Sequence, residues 1–396
     1  MTASPGFPVP LDLPDEVLWI ARTLEEAGFE TWCVGGALRD RLLGGAQQDV
    51  DLATSATPEQ VQALFRRTVP VGVRHGTVGV LDGARRLHEV TTFRRDVRTD
   101  GRHAEVAFGA SLEEDLARRD FTINALAYHP VRQEWCDPFD GAGDLRRGLI
   151  RAVGVPADRF REDYLRILRG LRFAARLGFR IEPGTWDAMR AATPGLAGLS
   201  AERVRDEWFK GLATARSVAT LVGLWQESGA AAVVLPELDP GVQLAGGDRE
   251  PRDPVLLTAL LVRGADQVLH RLRASAAEIS RASRLLAAPA RPGGTEPAAV
   301  RRWLAGAGAA ADDLLAAHQL RTGQPAPWAP VVAGIRSRGE AVDRGALAVT
   351  GQDLAAAGIP AGPAMGRILA ALLEEVLDDP ARNERAHLLA RARELA

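Results

Sequence analysis

One short stretch constrains this chain more than any other: Gly35-Gly36-Ala-Leu-Arg39-Asp40, followed by Asp49-Val-Asp51. Trp32, Cys33 and Val34 read as a short strand entering the glycine turn. Leu38, Leu42 and Leu43 suggest a short amphipathic helix, and Val50 and Leu52 alternate with the aspartates as a half-buried strand does. Side chains two apart on a strand share a face, so Asp49 and Asp51 converge on one site. Hard oxygen ligands of this kind suit Mg²⁺. Glycines let backbone N–H groups approach phosphates closely, and Arg39 adds a charge-assisted contact. Alone, a Gly-Gly pair is usually a turn and an Asp-x-Asp usually a polar strand end. In this order they describe an α/β unit able to hold a triphosphate and its metal ions.

At 396 residues the chain has room for several domains with sizeable cores. It is 46% hydrophobic and 25% charged, as soluble globular proteins are. No signal-peptide pattern and no long apolar run is present, so the expectation is a cytoplasmic protein with no membrane partner. Cys33 and Cys136 match neither a zinc pattern nor a disulfide framework, and Cys33 reads as a packing group. A net charge of −2 argues against a generally basic nucleic-acid coat. Lys210 is the single lysine, so nearly all positive charge is arginine; between Asp158 and Arg180 seven arginines stand against three acids.

Periodicity predicts a helix over 15–27 and strands over 30–34, 49–53, 69–73, 77–81, 87–93 and 104–108. From Arg159 onward the pattern is helical, broken by proline and glycine clusters. The expected organisation is an α/β head followed by a long helical trunk.

Two further clusters carry chemistry. In Arg118-Arg119-Asp120-Phe121-Thr122-Ile123-Asn124-Ala125, arginines suit phosphate recognition and Asn124 can bond sugar hydroxyls. The competing account is a solvated turn with Asp120 or Thr122 as a helix cap. In Arg161-Glu162-Asp163-Tyr-Leu-Arg166-Ile-Leu-Arg169-Gly-Leu-Arg172, helical spacing predicts a ridge of Asp163, Arg166, Arg169 and Arg172 beside a ridge of Leu165, Leu168 and Leu171. The bland account is an Asp–Arg pair on a solvated face. Repeated arginines on one face nevertheless repel unless an anion sits among them. Asp163 and Arg166 also suit a base reader. A carboxylate accepts from the exocyclic amino group of cytosine or adenine and a guanidinium donates to ring acceptors, whereas uracil reverses both pairings. Such a pair accepts CTP and ATP and rejects UTP.

These three ordered motifs resemble those of bacterial (class II) tRNA nucleotidyltransferases, the family of CCA-adding, CC-adding, A-adding and poly(A) polymerase enzymes. Thr350-Gly351-x-Asp353-Leu354, Gly358-Ile-Pro-Ala-Gly362-Pro363 and Asn383 resemble the same family's tail. The resemblance implies an α+β fold: a polymerase-β-like nucleotidyltransferase head (1–148), then a mainly α-helical neck (149–215), body (216–290) and tail (291–396). It implies Asp49 and Asp51 as the catalytic Mg²⁺ ligands. Gly36, Arg39 and Arg119 hold triphosphate and sugar, Asp163 and Arg166 read the base, and Arg169 and Arg172 support the nucleotide. Glu89 is a candidate third carboxylate. The implied reaction is attack of a tRNA 3′-hydroxyl on the α-phosphate of CTP or ATP, without a nucleic-acid template and with no obligate protein partner.

The segment Phe93–Phe108 occupies the position of the family's flexible loop, but lacks the Tyr and the Arg-Arg-Pro element that CCA-adding members resemble and is about two residues short. That keeps a CC-adding specialist open beside full CCA addition. Further alternatives are an A-adding enzyme, a poly(A) polymerase, a small-molecule nucleotidyltransferase and an inactive RNA-binding protein that retains the fold.

Overall fold

The computed structural model describes residues 10–45, 50–72, 76–99 and 104–396, and the chain divides into two compact units, Met1–Pro236 and Glu237–Ala396. In the first unit, helix α1 (Asp15–Glu26) buries Val17, Ile20, Ala21 and Leu24, the spacing of one helical face, and carries Asp15 and Glu16 in its first turn. Strand β1 (Thr31–Val34) leads through Gly35 into α2 (Gly36–Leu42). Then come β2 (Asp51–Thr54), α3 (Pro58–Leu64), β3 (Thr68–Gly72), β4 (Thr77–Leu81) and β5 (Leu87–Thr92). A hairpin, β6 (Arg94–Thr99) and β7 (Ala104–Phe108), forms its own two-stranded sheet. After α4 (Leu112–Ala117) the chain adds β8 (Ala127–His129), β9 (Glu134–Cys136), α5 (Gly141–Arg147) and the short β10 (Leu149–Ile150).

The central sheet runs β3-β4-β5-β2-β1-β8-β9, and β2 and β5 lie parallel in register Leu52↔Val90. Both faces are covered. Cys33, Leu52, Val78 and Val90 pack with Ile20 and Leu24 of α1, while Trp32, Val34 and Ala53 pack on the other face with Leu112 and Leu116 of α4. The period of two along each strand sorts the side chains between these cores.

Helix α6 (Pro156–Glu162) is followed by α7 (Leu165–Leu177), the short β11 (Arg180–Ile181), α8 (Pro183–Ala192), α9 (Ala201–Thr214), α10 (Val218–Glu227) and α11 (Ala230–Val234). The expected continuous helix is interrupted. Asp163 is extended (φ −154°, ψ 106°) and its Oδ1 accepts the Leu165 N–H at 3.0 Å, starting α7 afresh. Asp163 therefore stands beside the arginine ridge rather than on it. Helices α9 and α10 pack through Trp208 and Trp225, edge to face at 4.9 Å. The boundary between units falls at Pro236, so residues 216–236 lie in the first unit, where α10 packs on α7 and α9.

The second unit is helical apart from one isolated bridge, Leu238↔Val262, among the described residues. Its C-terminal core gathers Val349, Leu354, Ile359, Leu372, Val376 and Leu388. Thr350 and Asp353 form a reciprocal cap on helix Gly351–Ala356, and Asn383 pins a turn by accepting from Ala348 N–H at 2.7 Å and donating to the Ala346 carbonyl at 3.0 Å. No helix among the described residues is long and apolar enough to cross a membrane.

Candidate active site

A cleft of about 580 Å³ opens between one face of strands β1, β2, β4 and β5 and helix α7. Gly35 makes its first wall possible. With φ at +86° and ψ at −153°, it turns β1 sharply into α2, a conformation essentially restricted to glycine. Antiparallel pairing sets Asp51 opposite Val34, so the exposed Asp51 carboxylate stands at the mouth of this turn. Its Oδ2 and Arg119 Nη1 each lie 3.4 Å from where a side chain on Gly35 would begin. The parallel register of β2 with β5 makes Glu89 the cross-strand neighbour of Asp51, and both line the cleft.

The opposite wall comes from α7 and its neighbours. Asp163, Arg166, Arg169 and Phe173 line the cleft from the α6–α7 junction, and Arg203 reaches in from α9. Asp163 is held at both oxygens: Oδ1 by Leu165 N–H and Oδ2 by Arg203 Nη2 at 2.6 Å. Arg166 is held as tightly. Its Nη1 donates to Glu162 at 2.6 Å and to the Arg159 carbonyl at 3.0 Å, and its Nη2 to the Arg118 carbonyl at 2.8 Å. Those bonds leave its Nε and one Nη2 hydrogen for a ligand.

The floor is the segment after α4. Arg119 Nη2 bonds Asp115 at 3.2 Å and its Nη1 the Asn124 carbonyl at 3.3 Å, while its buried Nε has no hydrogen-bond partner. A buried unsatisfied guanidinium donor beside an open cleft fits an anionic ligand. Asp120 is buried. Burial works to raise its pKa, but the Arg169 charge and hydrogen bonds from Asn124, Arg169 and the Phe121 N–H outweigh it and hold the carboxylate below the ordinary range. Counted around the cleft, seven arginines face five carboxylates.

Gly36, Arg39, Arg119, Asp163, Arg166 and Arg169 thus meet around one cleft with Asp51. Asp49 lies outside the described residues. Arg172 is not brought to the cleft. It is 8% exposed and its Nε donates to Glu207 of α9 at 2.6 Å, a buried bond between helices. Among the described residues no group of three or more histidines, cysteines or carboxylates gathers to hold a metal. Asp51 and Glu89 nevertheless supply a pair of hard oxygen donors on adjacent strands, the donor type a divalent cation takes.

The comparisons agree with this architecture. Residues 31–151 match the family model "Poly A polymerase head domain", residues 178–241 "Probable RNA and SrmB-binding site of polymerase A", and residues 312–392 a domain 2 of tRNA nucleotidyltransferase. The CCA-adding enzyme of Limosilactobacillus fermentum is 38% identical over 402 residues, covering 95% of this chain and 96% of that protein. The chain belongs to the CCA-adding enzyme family of tRNA nucleotidyltransferases. The crystal structure of the Bacillus stearothermophilus CCA-adding enzyme in complex with CTP superposes with a TM-score of 0.80 at 36% identity, covering 96% of each chain. That of Thermotoga maritima, complexed with tRNA, shares the fold at a TM-score of 0.69 and 19% identity over 97% of each chain. Membership of the CCA-adding family implies use of a divalent metal.

Several residues that shape this CCA-adding family cleft were passed over in the sequence. Asp144, fully buried, accepts from Thr122 Oγ1 at 2.7 Å and from Arg147 and Arg151, fixing the turn that presents Asn124. Gly141 packs so closely beneath that turn that a side chain would meet the Thr122 carbonyl oxygen at 2.2 Å. The Asp140-Gly141 pair was the available signal, as a turn dipeptide shortly after Asp137-Pro138. Arg203 carried none, being one arginine among many.

Proposed function

We propose that this protein extends tRNA 3′ ends with C and A from CTP and ATP, releasing pyrophosphate and using no nucleic-acid template, in the cytoplasm. The observation that carries the reading is the meeting, in one cleft, of a carboxylate pair (Asp51, Glu89), the arginines Arg119 and Arg169, and the Asp163–Arg166 pair. The names of the relatives, CCA-adding enzymes, and the CTP bound in one of them support both substrates.

On this reading Gly35 and Gly36 cradle the triphosphate, and the unsatisfied Arg119 Nε takes an anionic or hydroxyl oxygen of the nucleotide. Asp163 accepts from the amino group of cytosine or adenine, and Arg166 donates to the adjacent ring acceptor. Uracil would set an oxygen against the Asp163 carboxylate. The tRNA 3′-oxygen forms a bond to the α-phosphorus as the bond to the pyrophosphate oxygen breaks, and the hydroxyl proton passes to water. Asp49, Asp51 and Glu89 would hold Mg²⁺, which when bound acidifies the hydroxyl and stabilises the leaving pyrophosphate. Four parts, head, neck, body and tail, would divide nucleotide chemistry from tRNA grip.

A second reading, addition of CC only, is favoured by one observation. The segment that would switch the pocket to ATP lacks Tyr and Pro and forms the short hairpin β6–β7. Transcripts ending before CCA, after C and after CC, supplied with each nucleotide singly and in pairs, separate the two by product length. Completion to CCA is the expected result, arrest at CC in the presence of ATP establishes the specialist, and long A tails establish a poly(A) polymerase.

A further inference from the structure

Six polar side chains close a ring on one face of α7. Arg169 Nε donates to Asp120 Oδ2 at 2.7 Å, and Asn124 Nδ2 donates to Asp120 Oδ1 at 2.9 Å. Arg39 Nη1 donates to Asn124 Oδ1 at 2.5 Å and its Nε to Asp40 Oδ1 at 2.8 Å. Arg176 Nη2 then donates to Asp40 Oδ2 at 2.8 Å, returning the chain of bonds to α7. Positions 169 and 176 are seven apart, about two helical turns, and so share a face. Phe173 lies between them, with the guanidinium carbons of Arg39 and Arg169 at 4.9 and 5.4 Å from its ring centre.

Arg39, Asp120, Asn124 and Arg169 border the cleft, whereas Asp40 and Arg176 stand behind it. We propose that Asp40 and Arg176 are positioning residues that fasten the phosphate turn of the head to the helix carrying the base-reading residues, so that the triphosphate seat and the choice of base are set together. The proposal rests on the reading of the cleft as a nucleotide site. Asp40 is 6% exposed and Arg39 2%, and Asp40 has one oxygen on each arginine. Without it two cations face each other in a largely buried place, and Arg39 loses the partner that aims it at Asn124. Without Arg176 the phosphate turn loses its tie to α7, while α7 stays anchored by Arg169 on Asp120 and by Arg172 on Glu207. The turn and Arg39 then shift against α7, and the triphosphate seat no longer keeps its spacing from Asp163 and Arg166.

The test uses the full-length protein, a tRNA transcript lacking CCA, and CTP and UTP supplied separately. The variants are Arg176→Met, Arg176→Lys and Asp40→Asn, each with its melting temperature. A wild-type chain that does not extend the transcript overturns the reading of the cleft and this proposal with it. Where the wild type extends it, Arg176→Met is expected to raise KM for CTP and to lower the CTP-over-UTP ratio of kcat/KM, each by about tenfold, with Arg176→Lys restoring most of the ratio. A ratio unchanged in Arg176→Met, with rates for both nucleotides falling in parallel with the melting temperature, shows a purely structural staple and overturns the proposal alone. If Arg176→Met does not fold, Asp40→Asn decides by the same ratio.

Discussion

Replacing Gly35 by alanine separates the work of a glycine turn from the work of the side chains around it. The added methyl has room, since its nearest neighbours, Arg119 Nη1 and Asp51 Oδ2, are both at 3.4 Å, ordinary contact. The penalty is therefore in the backbone. At φ +86° and ψ −153° a residue with a side chain is strained by about 1–3 kcal/mol. If the turn holds, that strain lowers the melting temperature by several degrees. If it relaxes, the N–H groups at the start of α2 rotate away from Asp51, and the same free energy appears as a loss in kcat/KM of about 5- to 150-fold. Steady-state CTP incorporation and a thermal melt on the same preparation read both channels. Gly44→Ala is the control. Gly44 also has positive φ, +76°, with nothing within 4 Å, and lies past the end of α2 away from the cleft. It should cost about 1 kcal/mol of stability and leave incorporation unchanged. A Gly35→Ala protein with both wild-type kcat/KM and wild-type melting would refute the assignment of this turn as the phosphate seat.

Asp51→Ala should abolish incorporation while tRNA binding, followed by gel shift, persists; an active variant removes Asp51 from the metal site. Asp163→Ala should admit UTP, and unchanged discrimination against UTP removes it as base reader. Gly141→Ala drives a methyl against the Thr122 carbonyl oxygen at 2.2 Å and should lower stability by about 1–3 kcal/mol, seen as a lower melting temperature. The Asp353 carboxyl is held down to about 2 by Arg385, with the Thr350 hydroxyl and N–H adding to it. Because this folded pKa lies below the unfolded value of about 3.9, its contribution is present above pH 4 and lost as pH falls toward 2. The stability difference between wild type and Asp353→Asn should therefore shrink over that window, and a difference independent of pH contradicts the pairing.

Where sequence patterns tracked the structure, one dominant interaction set the local outcome. The α1 face and strands β2, β4 and β5 follow from apolar periodicity because burial against a single core decides them. Strands β8 and β9 escaped because three residues each are too few to show alternation, and their pairing with β1 is long-range. Strand β6 escaped because five of its six residues are arginine, aspartate or threonine and it joins no core sheet. The helix break at Asp163 has no proline or glycine to announce it; the side chain itself competes for the Leu165 N–H. Arg172 leaves the arginine ridge because a spacing of three keeps a helical face for one step and loses it over two. Three residues advance a helix by roughly 300°, so by Arg172 the ridge begun at Arg166 has slipped about 120°, into the α9 interface and onto Glu207.

The same pairs explain why net charge says so little about this site. The arginines of the cleft are already matched to carboxylates: Arg169 to Asp120, Arg166 to Glu162, Arg203 to Asp163 and Arg39 to Asp40. Such pairs cancel in a sum over the chain, which is how a protein of net charge −2 can line one cleft with seven arginines. They also alter what nucleotide binding has to accomplish. The side chains are not gathered from solvent when the ligand arrives, so little rotamer entropy is lost at that moment. On the proposed reading, a base at Asp163 must instead share a carboxylate that Arg203 already holds, and a base that brings an oxygen there gains nothing to offset the contact it disturbs. Discrimination against uracil then rests on a pocket built before the base enters, and loosening the partners that hold Asp163 and Arg166 should erode it as surely as removing either residue.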